Sequence, residues 1–116
     1  VQRPHPPIVI GGSGPKRTLL ATAKWAQQWN AITPGPEAWL ASKAILLEHC
    51  AAVGRDPAEI ECSVNVQVPG DGDLGPALEK IAAYGEAGVD IIVLGLPNGA
   101  PLSILDDLAS AVAPLA

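Results

Sequence analysis

The chain reads as an α/β protein, four consecutive βα units of the kind that build half of a (β/α)8 barrel. Three observations lead there. Short apolar runs alternate with amphipathic stretches four times in 116 residues, the grammar of a parallel sheet with right-handed crossovers. The run Glu61–Val68 alternates strictly, with Cys62, Val64, Val66 and Val68 on one face and Ser63, Asn65 and Gln67 on the other. A full barrel takes about 250 residues, so four units in this length make half of one. The polar row decides between architectures. In a sheet sandwiched between two helix layers it would be buried against helices, whereas in a barrel it faces an interior that becomes wet and ligand-lined near the mouth.

Taken in order, Ile8-Val9-Ile10 is expected to be a strand buried on both faces. Pro15, a favoured first helical residue, opens a helix to about Ala26 with Leu19, Ala23 and Ala26 as its apolar stripe. Trp29-Asn30-Ala31-Ile32 reads as a brief second strand, ended by Thr33-Pro34-Gly35-Pro36. The second helix starts at Pro36, carries Leu40, Ala44, Leu47 and Ala51 at spacings of three and four, and ends at Gly54. After the Arg55-Asp56-Pro57 turn comes the alternating strand, broken by Pro69-Gly70-Asp71-Gly72. Asp73 caps a third helix bearing Leu74, Leu78, Ile81, Ala82 and Gly85, which closes at Gly88. Asp90–Gly95 is a fourth strand, apolar on both faces, and Pro101 leads into a last helix with Leu105, Leu108, Ala109 and Val112.

The most informative segment is Gly11-Gly12-Ser13-Gly14, between the first strand and its helix. A glycine-rich turn before a helix N-terminus presents backbone N–H groups, here those of Gly12, Ser13 and Gly14, together with the positive end of the helix dipole. Lys16 and Arg17 follow, although helix residues of this kind are more often simply solvated. The anion such a turn favours is a phosphate. Two familiar phosphate loops do not fit. A Walker A loop needs glycine directly before Lys-Ser/Thr, and a dinucleotide fingerprint starting at Gly12 needs glycine where Arg17 stands. On the turn alone, a ligand-free βα connection is an equal alternative.

Composition narrows the partners. The net charge of −5 argues against nucleic acid and anionic membranes, and no apolar stretch approaches a membrane span. Cys50 and Cys62 lie in different elements without histidine at zinc spacing, so they are expected to be buried free thiols in a reducing, cytoplasmic setting. His5 and His49 form no ligand pair, and no catalytic or metal-binding residue is assigned. Methionine is absent and the chain starts at Val1 close to a buried strand, which hints at a piece of something longer. Residues 1–116 are read as one domain.

In this order, Pro6-Pro7-Ile8-Val9-Ile10-Gly11-Gly12-Ser13-Gly14-Pro15-Lys16-Arg17, then Trp29-Asn30, Ala52–Ile60 and Glu86–Asp90 resemble the second half of bacterial luciferase-like oxidoreductases, above all the branch that uses the deazaflavin coenzyme F420. The resemblance runs from near the N-terminus to the final helix. It implies a TIM barrel of which this chain supplies strands five to eight, in an enzyme transferring a hydride between F420, or alternatively FMN in a monooxygenase, and a small organic substrate. It further implies that Gly11, Gly12, Ser13 and Gly14 hold the cofactor phosphate, the Ser13 hydroxyl adding a donor. Trp29, Asn30 and Gln67 are the other candidate cofactor-binding residues: Trp29 and Asn30 open the short strand, and Gln67 is the ligand candidate nearer the C-terminal end of the polar row. The family's Ala-Asp-Gly-Trp-Asn stands here as Ala26-Gln27-Gln28-Trp29-Asn30, so a glycine suited to a positive φ is replaced by Gln28 and a different local turn is expected. Nothing in the chain stands for the first four strands, and the isolated chain is expected to be inactive.

Assembly follows from the same reading. A half-barrel has two open strand edges and an uncovered face that includes Ile92 and Leu94, or Ile91 and Val93, depending on register. The expected partner is a second copy, in a homodimer, or the missing N-terminal half-barrel. The rival function is a non-catalytic, self-associating half-barrel module with an anion-binding loop.

Overall fold

The computed structural model describes residues 5–115. Its strands are β1 (Val9–Gly11), β2 (Gln28–Ala31), β3 (Glu61–Gln67) and β4 (Ile91–Gly95). Its helices are α1 (Thr18–Trp25), α2 (Pro36–Val53), α3 (Gly75–Ala87) and α4 (Ser103–Val112), with short 3-10 turns at Pro57–Glu59 and Ala113–Leu115. The four strands pair in chain order, β1-β2-β3-β4, and every pair is parallel. Each connection therefore steps to the next strand in the same direction, and the right-handed rule puts every helix on one side of the sheet. Burial agrees. Trp29, Ala31, Cys62, Val64 and Val66 cluster with Leu19, Trp39, Leu46, Ala77 and Tyr84 from the helices. The fold is α/β, parallel strands alternating with helices, in the manner of part of a TIM barrel.

The opposite face has no helix over it. Register places Gly11, Asn30, Ser63 and Ile91 in one row across it, with Asn65 beside Val93 and Gln67 beside Gly95 in the rows above. Ile91 and Val93 are thus the residues of β4 that face away from the helices. Two expectations are corrected here: β1 and β4 are not buried on both faces, since Val9 is 53% and Val93 46% exposed. The cause is the one-sided helix layer. The radius of gyration, 15.9 Å, exceeds the roughly 13 Å of a compact chain of this length, as an open curved sheet requires.

Element boundaries moved by a few residues. Helix α1 starts at Thr18 and not at Pro15, because Pro15–Arg17 form a turn that Leu19 N–H closes onto the Gly14 carbonyl. Leu19, Ala23 and Ala26 are buried as expected. At the exit of α1 the chain turns directly into extended backbone at Ala26, so no positive φ is needed at Gln28. Gln27 helps to hold this exit: its Oε1 accepts the Ile8 N–H at 2.8 Å. Arg55 does the rest, donating to the Ala23 and Ala26 carbonyls at the end of α1 and to Glu59. A cation on the last carbonyls of a helix satisfies acceptors that have no partner inside it.

The largest departure concerns α2. The stripe Leu40, Ala44, Leu47, Ala51 points outward; Leu40 is 49% and Leu47 41% exposed. The buried stripe is Trp39, Leu46 and Cys50, with Lys43 between them half-buried. Helix α2 is rich in alanine and leucine on every side, so two stripes compete, and the one with the indole, the larger surface to remove from water, faces the sheet. Gly54, at φ 73°, ends the helix as expected, and Gly88, at φ 104°, ends α3. Asp73 stands before α3 with its carboxylate accepting the Gly75 N–H at 2.9 Å.

The rotation of α2 has a direct check. Leu46→Ala is expected to cost about 2–5 kcal/mol in urea unfolding, whereas Leu47→Ala should change stability by no more than about 0.5 kcal/mol. The reverse order would restore the outward stripe to the core.

Candidate functional site

The glycine turn sits where β1 ends, at the C-terminal edge of the sheet, the end at which parallel α/β layers collect their ligands. Gly11 is the last residue of β1 and pairs with Asn30. Gly12 takes φ 112°, a conformation that side chains disfavour. Its N–H is not free for a ligand: it donates to the Asn30 carbonyl at 3.0 Å, continuing the sheet by one step. This corrects the expectation that three successive N–H groups converge. Ser13 Oγ accepts the Ile32 N–H at 3.2 Å and keeps its own proton to donate. Among the described residues the N–H groups of Ser13 and Gly14 have no protein acceptor. Gly14 is needed for space, since a Cβ there would come 2.9 Å from Thr18 Oγ1. The turn therefore offers two backbone donors and one hydroxyl, next to a helix that starts without a side-chain cap. That donor set suits a phosphate.

Two groups hold the turn from behind. Trp29 is wholly buried on the helix side of the sheet, stacked on Trp39 with ring centroids 6.1 Å apart, and its Nε1 donates to the Gly12 carbonyl at 2.7 Å. Its ring faces away from the open side, so it supports the turn and stacks on nothing there. His49 Nε2 lies 2.7 Å from the Pro15 carbonyl, which makes the ring nitrogen the donor and ties α2 to the turn before α1. Neither tie was legible in spacing, because each spans more than fifteen residues and ends on a main-chain carbonyl.

Asn30 and Gln67 both lie on the open face. Asn30 Nδ2 donates to Ser63 Oγ at 2.9 Å and to Asn65 Oδ1 at 3.1 Å. Ser63 is buried under Asn30 although it belongs to the open row. Gln67 lies over Gly95, where any Cβ would run into its amide. The structure thus brings Gly11, Asn30, Ser63 and Asn65 into one patch next to the glycine turn. Ser63 and Asn65 are the members not among the expected cofactor-binding residues; strict alternation with Gln67 was the signal for both. At the same C-terminal end of the sheet, on the β4 side, a cleft of about 270 Å³ lies between the loops after β3 and β4, lined by Pro69, Gly70, Leu74, Pro97, Asn98 and Ile104.

The thiols lie elsewhere. Cys50 and Cys62 are free and buried on the helix side. Burial pushes both thiols up, against the lowering effect of nearby Lys43, whose Nζ donates to Cys62 Sγ at 3.1 Å. Among the described residues there is no group of histidine, cysteine and acidic side chains able to hold a metal ion, and no helix long and apolar enough to cross a membrane.

The sequence matches no family model and no curated protein. The structure is similar to that of a coenzyme F420-dependent tetrahydromethanopterin reductase from Methanopyrus kandleri, with a TM-score of 0.61 and 15% sequence identity. The match covers 91% of this chain and 48% of that one, so the chain spans about half the length of the reductase. At such identity the likeness is one of fold.

Raised, buried thiols should be unreactive in the folded state. Cys50 and Cys62 are expected to resist a neutral disulfide reagent at pH 8 and to react together once urea unfolds the chain. Fast labelling of either in the native protein would contradict their placement.

Proposed function

We propose that this chain is the C-terminal, cofactor-phosphate-binding part of a luciferase-like oxidoreductase whose intact form transfers a hydride between F420, or FMN, and an organic substrate. The observation that carries the reading is the glycine turn itself: donors from Ser13 and Gly14 at the C-terminal end of β1, in a half-barrel shaped like about half of an F420-dependent reductase. Ser13 and Gly14 would hold the phosphate, with Trp29 and His49 keeping the turn in place. Asn30 and Gln67 would line the interior beside it. When bound, the cofactor supplies the hydride chemistry. The residues here would orient it; the acidic side chain of the open face, Glu61, lies at the end of β3 away from the turn.

A second reading, a self-associating module without catalysis, is favoured by the two open edges β1 and β4 and the half-exposed Val9, Ile91 and Val93. Such features invite pairing. In a two-fold dimer the β4 edge of each copy would meet the β1 edge of the other.

The readings separate in solution. Titration by fluorescence should show F420 binding that inorganic phosphate competes away, and Ser13→Glu, which sets a carboxylate where the phosphate belongs, should weaken it at least about tenfold. Unchanged affinity in that variant would remove the turn from the site. The isolated chain should show no F420-dependent reduction; measurable turnover would contradict the assignment. Light scattering at low micromolar concentration reporting a dimer without F420 binding would favour the module.

A further inference from the structure

A lysine that leaves water normally gains an anion in return. Lys43 gains a thiol. From α2 its Nζ donates to Cys62 Sγ on β3 at 3.1 Å. The side chain is half-buried, whereas Lys16, Lys24 and Lys80 are exposed. Among the described residues no carboxylate stands within ion-pair distance of Lys43, and the Trp39 ring lies 6.0 Å from its amine. Ion pairing therefore does not account for where this amine sits.

Both partners are nucleophiles, and both are held in place. The Cys62 N–H donates to Asp90 Oδ2 at 2.8 Å, which fixes the strand at the sulfur. Cys62 is buried, and Lys43 is the side chain between it and solvent: with Pro57, Ile60, Gly88 and Asp90, Lys43 lines an open depression of about 430 Å³. The depression lies by the N-terminal ends of β3 and β4, on the helix side and away from the glycine turn. A bulky disulfide reagent is kept off the sulfur by this arrangement, in keeping with the resistance expected above. Hydrogen peroxide and dioxygen are small enough to enter beside the amine.

We propose that Lys43 and Cys62 are an oxidative modification site, at which dioxygen or hydrogen peroxide forms a covalent N–O–S bridge between Nζ and Sγ. The neutral amine and the thiol lose one hydrogen each, and one oxygen atom enters between nitrogen and sulfur. The second oxygen atom of dioxygen leaves as water with both hydrogens, so four electrons pass from the pair to the oxidant. With peroxide, two molecules take the same four electrons and three waters form. An amine that starts as ammonium gives its extra proton to solvent. Two molecules of a dithiol return the four electrons, restoring amine and thiol and releasing water. A single bridging atom suits groups already in hydrogen-bond contact. A direct N–S bond would need α2 and β3 to close by more than about an ångström, which a close-packed interior resists. The bridge would fasten α2 to β3 reversibly. This goes beyond the proposed function and stands whether or not the open face binds a ligand.

The test is intact-mass measurement of the full, reduced chain after exposure to hydrogen peroxide. A gain of about 14 Da is expected, lost again on treatment with dithiothreitol. Tryptic cleavage after Lys43 should fail in the oxidised chain, and the Lys43 and Cys62 peptides should travel joined. Thiol titration in urea should fall from two groups to one, the one left being Cys50. Cys50→Ala should still form the bridge, and Lys43→Arg, which keeps the charge, should not. Gains of about 16 or 32 Da with Lys43 still cleaved would mean a simple sulfur acid and overturn the proposal. A loss of about 2 Da, the mark of a Cys50–Cys62 disulfide, would overturn it too. So would an unchanged mass at a peroxide concentration that oxidises both thiols in urea.

Discussion

Four parallel strands paired in chain order must carry all their connecting helices on one side. Nearly everything else about this molecule follows from that handedness. It sends Trp29, Val64 and Val66 into a helix-covered core and turns Asn30, Asn65, Ile91 and Val93 toward a face with no cover. It also places the loops after β1, β3 and β4 at one end, where the glycine turn and the cleft between the later loops are found. A doubly wound sheet with the same elements would have buried the polar row under helices, at a cost of about 1–3 kcal/mol for each unpaired group.

The core and the turn are mechanically one unit. The Trp29–Trp39 stack lies between the sheet and α2, and the Trp29 indole N–H reaches through to the Gly12 carbonyl. His49 adds a second tether from α2 to Pro15, and Gly12 N–H a third, onto β2. A loop tied at three points to buried elements loses little entropy when it binds, because most of its conformational freedom is already gone. The donors left over at Ser13 and Gly14 are those that the tethers do not use.

Much of the fold was legible in the residues, for physical reasons that can be named. Alternation in Cys62–Val68 has period two and only one register that hides the valines, so β3 and its polar row came out as expected. Gly54 and Gly88 marked their helix ends because each takes a positive φ. The facing of α2 was not legible. A helix apolar on several sides carries no single periodic signal, and the choice between Leu47 and Leu46 is made by which stripe contains Trp39. The site divided in the same way. Gly11, Ser13, Gly14 and Asn30 lie together as a patch, while Gly12 spends its N–H on the sheet and Trp29 faces the core. Those two outcomes depend on contacts between distant segments, which local pattern does not encode.

The proposed ligand site lies on the uncovered face, between the glycine turn and the asparagine row. Mapping amide shifts in the isotope-labelled chain on addition of F420 tests it most directly. Perturbations are expected at Ser13, Gly14, Asn30, Asn65 and Gln67, side-chain amides included, with the outward residues of α2 and α3 silent. Shifts confined to the outer helix layer, or none at saturating F420, would contradict it.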